Sequence, residues 1–230
     1  MISGKKELYG GTAMLAGFLV ILVLIFLPLF NGQNGLNYLD NLFNSISKGS
    51  AYYIPAVRTE VNDTAAGKQV DLCLAFDSAA RAQETARLLT AGGATARVTE
   101  RSIAVTGDLG RILNTCLDDA DLLFYNQGEK LTERYDRGGR EVLYTWWMTL
   151  QALQETLNKQ EKFTQARLIY TVTTKAVECA YNYHGIMPEQ INDKMGMVVF
   201  ALVFYVLYTL WYGYAILFIF EGAGLQISSH

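Results

Sequence analysis

Two stretches of this chain contain no charged residue, Ala13 to Phe30 and Met197 to Phe220. As helices, the 18 residues of the first and the 24 of the second would extend about 27 Å and about 36 Å, against a bilayer hydrocarbon core of about 30 Å. A domain of this size rarely encloses two helices that are apolar on every side. The expectation is therefore two membrane spans, the second tilted or with one end among the headgroups. The apolar fraction of 51% is concentrated in these runs.

Lys5 and Lys6 precede the first run as they would in a signal peptide. The run is longer than a usual signal core and ends Pro28-Leu29-Phe30-Asn31-Gly32 without a small-residue cleavage pattern, so an uncleaved anchor is expected. The resulting division is an N-terminal segment over 1–12, a transmembrane helix over 13–31, and a helical extension with a connector over 32–67. A β-α-β-β-α domain over 68–128, a helical hairpin region over 129–194, a second transmembrane helix over 195–221 and a tail over 222–230 follow. Lys5 and Lys6 place both termini in the cytoplasm by the positive-inside rule, with the central domain extracytoplasmic, as at a bacterial cytoplasmic membrane. Lys48 and Lys194 flank the spans on the opposite side and weaken that bias. About ten residues follow Phe220, so no output domain is expected after the second span.

Between the spans the apolar periodicity changes. Leu36, Leu39, Leu42, Phe43 and Ile46 recur at helical spacing and predict that the first span runs on through Lys48. Tyr52-Tyr53-Ile54-Pro55 reads as extended, because the residue before proline avoids the helical region, and 57–67 reads as a polar connector. Val70, Leu72, Leu74 and Phe76 alternate with Asp71, Cys73 and Ala75 and predict a strand. Asp77 is expected to cap a helix through Thr90 with Ala79, Ala82, Ala86 and Leu89 inward, ended by Gly92-Gly93. Two short strands, 94–99 and 102–106, turn at Glu100-Arg101. Asp108 caps a second helix with Ile112, Leu113, Cys116, Leu117, Ala120, Leu123 and Phe124 on one face.

This order predicts a small α+β sandwich with its helices on one side of a three-stranded sheet. Units of this kind serve as ring-building or docking modules in membrane assemblies, an analogy of fold alone. The charged stretch from Gln127 to Arg140, with Gly138-Gly139, reads as a loop or hinge. Glu141 to Tyr183 contains no Gly or Pro, and its stripe Leu143, Trp146, Leu150, Leu153, Leu157 changes phase at Asn158–Lys162. A single helix over that range would reach about 64 Å, so a hairpin turning near Asn158-Lys159-Gln160 is expected. The fold class is an α+β membrane protein, mostly helical.

Several chemistries are excluded by pattern. There is no phosphate loop, no dinucleotide glycine fingerprint, no Cys-x-x-Cys and no nucleophile elbow. With only His184 and His230, a His-rich zinc site or a bis-histidine haem has too few ligands. Cys73, Cys116 and Cys179 read as unpaired thiols, with Cys73 and Cys116 the pair to weigh as a disulfide. The segment between the spans carries 17 basic and 20 acidic residues, so nothing marks a nucleic-acid surface. No cofactor or metal is expected, and Asp118, Asp119 and Asp121 read as a solvated helix face.

Two sets of residues remain. Gly10, Ala13 and Gly17 permit close helix approach, and Tyr205, Tyr208 and Tyr212 share a face of the second span where a hydroxyl needs a partner. That face is expected to pack on protein. The stretch Glu178 to His184 lies about ten residues before the second span, with Tyr181, Tyr183 and His184 as a membrane-surface site for a quinone or lipid headgroup. The expectation is a non-enzymatic accessory or assembly subunit whose partners are integral membrane proteins or copies of itself, set in the lipid bilayer. The alternative is a two-span sensor whose domain binds a ligand and signals through a separate partner.

Overall fold

The computed structural model describes residues 3–225. His230 and the rest of 226–230 lie outside the described residues, as do 1–2. The described chain is mostly helical with one three-stranded sheet. It divides into two compact units, one built from the residues up to Ile46 together with those from Glu189 onward, the other from Ser47–Pro188.

The first unit holds α1 (Ser3–Phe26), the first turns of α2 (Gly35–Ser50) and α10 (Ile191–Gly222). Both α1, from Gly4 onward, and α10 are long and apolar enough to cross a membrane. They pack antiparallel: Gly4 lies against Gly222, Gly11 against Ala215 and Ile219, and Gly17 against Trp211. The backbones come close at Gly222, where a Cβ would run into the Leu8 backbone, and at Gly11, where it would stand 2.7 Å from the Ile219 amide nitrogen and 2.9 Å from the Ala215 carbonyl oxygen.

The first span does not continue into the next helix. Helix α1 stops at Phe26, two residues before Pro28. The chain then reverses at Asn31-Gly32, both with positive φ, between reciprocal backbone bonds of Phe30 and Gln33 at 2.9 and 3.0 Å. An Asn-Gly pair tolerates that backbone at little cost. Asn34 then starts α2 by accepting the Asn37 N–H at 2.8 Å.

In the second unit the expected sheet forms with order β1-β3-β2, from β1 (Gln69–Ala75), β2 (Thr95–Thr99) and β3 (Ser102–Asp108), every pairing antiparallel. Val70, Leu72 and Leu74 of β1 join Ile103 and Val105 of β3 in the core, while Asp71, Cys73 and Ala104 stay exposed on the other side of the sheet. Helix α4 (Ala79–Ala91) is capped by Ser78, which accepts the Arg81 N–H, whereas Asp77 pairs with the Arg81 side chain. The reading of Asp77 as the cap is thus corrected by one residue. Its inward stripe is Ala82, Thr85, Leu88 and Leu89, with Ala79 exposed. Helix α5 (Leu109–Phe124) begins at Asp108, whose two carboxylate oxygens accept the Arg111 and Gly67 N–H groups at 3.1 and 2.9 Å. Its seven expected core residues are all buried.

Two segments read as irregular are helical. Residues 54–65 form α3 (Ile54–Ala65), burying Ile54, Val57, Val61 and Ala65. Pro55 sits in its first turn, where a missing N–H costs no helical bond. Residues 128–135 form α6 (Gly128–Tyr135), a charged helix held by the single buried side chain of Leu131. The hairpin after it consists of α7 (Gly139–Lys159) and α8 (Phe163–Val172), with a turn at Gln160–Lys162 that includes the positive φ of Glu161. Beyond α8 the helix widens into a π-turn, Thr173–Val177, and ends as α9 (Glu178–Asn182). Thr173 and Thr174 donate their hydroxyls to the carbonyls four residues back, each at 2.9 Å. Such bonds compete with the regular ladder and favour a local distortion.

Candidate functional site

The paired helices place the residues singled out for packing in different settings. Gly17 meets the Trp211 ring. Gly10 has open space where a Cβ would stand, and Ala13 is exposed. Among the glycines of α1 the tightest contact is made by Gly11, one position along from Gly10. Tyr208 donates its hydroxyl to the Phe18 carbonyl at 2.9 Å and stacks on the Phe18 ring at 4.2 Å. Tyr212 tilts over the same ring at 5.1 Å. Trp211 donates its indole N–H to the Met14 carbonyl at 3.0 Å, a role the sequence reading did not assign. Tyr205 turns away from α1: it is 69% exposed, and among the described residues its hydroxyl has no partner.

At the end of the pair where α1 stops and α10 starts, the lining becomes polar. An open pocket of about 250 Å³ there is lined by Asn31, Gln33, Tyr38, Glu189 and Lys194, among others. Glu189 and Lys194 pair at 3.4 Å.

The stretch Glu178 to His184 is split by the helix geometry. Glu178, Tyr181 and Asn182 fall on one face, at spacings of three and four, and line a groove with Leu143, Tyr144 and Trp147 of α7. Its volume is about 290 Å³. Trp147 donates its indole N–H to Glu178 Oε1 at 2.9 Å, Tyr144 stacks beside Trp147 at 6.0 Å, and the Arg140 guanidinium lies 4.5 Å from the Tyr181 ring centre. Cys179 points elsewhere, its thiol on the Ala51 carbonyl at 3.3 Å. Burial raises the pKa of that thiol, and the nearby Lys48 partly opposes the shift. Tyr183 and His184 lie in the turn after α9; His184 is exposed and neither lines the groove. The structure therefore brings Tyr181 together with α7 aromatics and not with His184. Adjacent Trp146 and Trp147 carried the available signal: on one helix, two neighbouring rings cannot both face the same core.

Two charged residues expected at the surface are buried. Asp119 belongs to no solvated face: its side chain is fully buried and accepts hydrogen bonds from Arg134 (2.8 Å), Tyr135 (2.6 Å) and Trp146 (2.8 Å). Burial raises its pKa, while the Tyr135, Trp146 and Arg134 contacts pull the other way. Asp118 and Asp121 do remain outside the core, pairing with Arg58 at 2.7 Å and accepting the Tyr52 hydroxyl at 2.7 Å. Lys48, counted from sequence as a flanking charge, is completely buried in the second unit. Its ammonium donates to the Ile186 carbonyl at 2.5 Å and lies 4.9 Å from the Phe124 ring centre, and burial lowers its pKa. Asn126 clasps the same segment, donating to Ile186 O at 2.9 Å and accepting the Gly185 N–H at 2.7 Å.

All three cysteines are free, Cys73 exposed and Cys116 buried. Among the described residues no three His, Cys, Asp or Glu side chains are placed to hold a metal ion. Comparison with protein-family models, curated proteins and solved structures finds no match.

Proposed function

We propose that this chain is a non-enzymatic accessory or assembly subunit of a membrane complex. It is anchored by α1 and α10 and docks on another integral membrane protein, or on a second copy, through the outer face of α10 and through its extramembrane unit. The observation that carries this reading is the exposed, unpartnered Tyr205 midway along an apolar helix whose Tyr208 and Trp211 are satisfied by α1. Hydrocarbon offers a phenol no acceptor, so a polar side chain at that depth favours contact with protein.

Membrane insertion itself is supported by the length of both helices and by the polar lining at the Lys194 end of the pair. The proposed topology has both termini in the cytoplasm, with Ser47–Pro188 on the opposite side of a bacterial cytoplasmic membrane. An antiparallel pair brings Lys5 and Lys6 to one end, in keeping with the positive-inside rule. Gentle extraction in a neutral detergent followed by mass spectrometry tests the proposal. A stoichiometric membrane partner or a defined homo-oligomer is the expected result, and a clean monomer would contradict it. The groove beside Tyr181 supports the second reading, a sensor in which that unit takes a ligand.

A further inference from the structure

We propose that the groove between α7 and the π-turn binds a small organic ammonium ion. This goes beyond the accessory-subunit reading and does not depend on it. Three rings, Tyr144, Trp147 and Tyr181, line the groove with a single carboxylate, Glu178. The Trp147 N–H holds Glu178 Oε1 at 2.9 Å, which orients the carboxylate and leaves its other oxygen available. Among the described residues Glu178 has no cationic partner. A half-buried carboxylate with no cation paired to it, beside electron-rich ring faces, is a setting that rewards an added positive charge.

The Arg140 guanidinium lies over Tyr181, 4.5 Å from the ring centre, so a positive group is accommodated on this wall. It covers one ring only, so Trp147 and Tyr144 remain for a ligand. The volume of about 290 Å³ suits a compact ion better than a drug-sized molecule. The π-turn contributes Val177 to the lining and sets the register that brings Glu178 and Tyr181 to the groove together. A neutral aromatic ligand would stack on the rings but leave Glu178 without a counter-charge.

The test is calorimetric titration of the full chain in a maltoside detergent, which carries no ammonium headgroup. The probes are tetramethylammonium, choline and the neutral choline isostere 3,3-dimethylbutan-1-ol. Saturable binding of the two cations, and at least roughly tenfold weaker binding of the neutral isostere, is expected. Glu178→Gln keeps an acceptor for the Trp147 N–H, so the fold is retained while the charge is lost; cation affinity should fall roughly tenfold or more. Arg140→Ala removes a like charge and should tighten binding. The proposal is overturned if the folded wild type shows no saturable cation binding, if the neutral isostere binds equally well, or if Glu178→Gln binds like the wild type.

Discussion

At the scale of single residues, the two buried charges set the most specific expectations. Asp119 lies on the stripe Ile112, Cys116, Asp119, Leu123 of α5, whose spacings of three and four mark one helix face. That phase was legible in the sequence. What was not legible was that Tyr135 and Trp146, from two other helices, would supply its donors. Asp119→Ala should cost about 2–4 kcal/mol, because the Trp146 and Tyr135 donors lose their acceptor; urea unfolding of the detergent-solubilised chain measures it.

The raised pKa of Asp119 means that the folded chain keeps a proton the unfolded chain has lost. Its contribution to stability therefore falls as pH rises from about 4 through the raised folded value, then levels off. Asp119→Asn removes that slope, so the stability of wild type relative to the variant should decrease across this window. Lys48 behaves in the opposite sense. Its lowered pKa makes its contribution rise with pH, between the lowered folded value and about 10.4. Lys48→Met should remove that slope and melt no lower than wild type at pH 7, since Asn126 still satisfies the Ile186 carbonyl. A clear drop in melting temperature would show that the ammonium itself holds the Gly185–Met187 segment.

Among the elements, those with a strong period were readable and those with a single anchor were not. β1 alternates cleanly, and α5 carries its whole apolar stripe in sequence. By contrast α6 has one buried apolar residue, Leu131, in a charged octet, which leaves no period to detect. α3 was hidden by Pro55, which reads as a helix breaker unless it falls in the first turn. The spans were evident as apolar runs, but their contact face depends on which small residue meets backbone, and composition does not distinguish Gly10 from Gly11. Gly11→Val should force α1 and α10 apart at a cost of about 1–3 kcal/mol, freeing the Trp211 indole N–H from Met14; the ¹⁵N–¹H resonance of that indole reports it. Gly10→Val, with open space at its Cβ, should leave the same resonance unmoved.

At the scale of the whole molecule, the chain consists of two units of contrasting chemistry. The helix pair satisfies its own polar groups at Tyr208 and Trp211 and leaves Tyr205 outward; the second unit closes a core around Trp146 and opens an aromatic groove at Trp147. We propose that the outer face of α10 is a docking surface inside the membrane. Photo-crosslinking from position 205, with position 208 as the internal reference, tests it most directly in intact membranes. A probe at 205 should capture another membrane protein or a second copy of this chain, while one at 208 should capture α1 of the same chain. Capture of lipid alone from position 205 would contradict it.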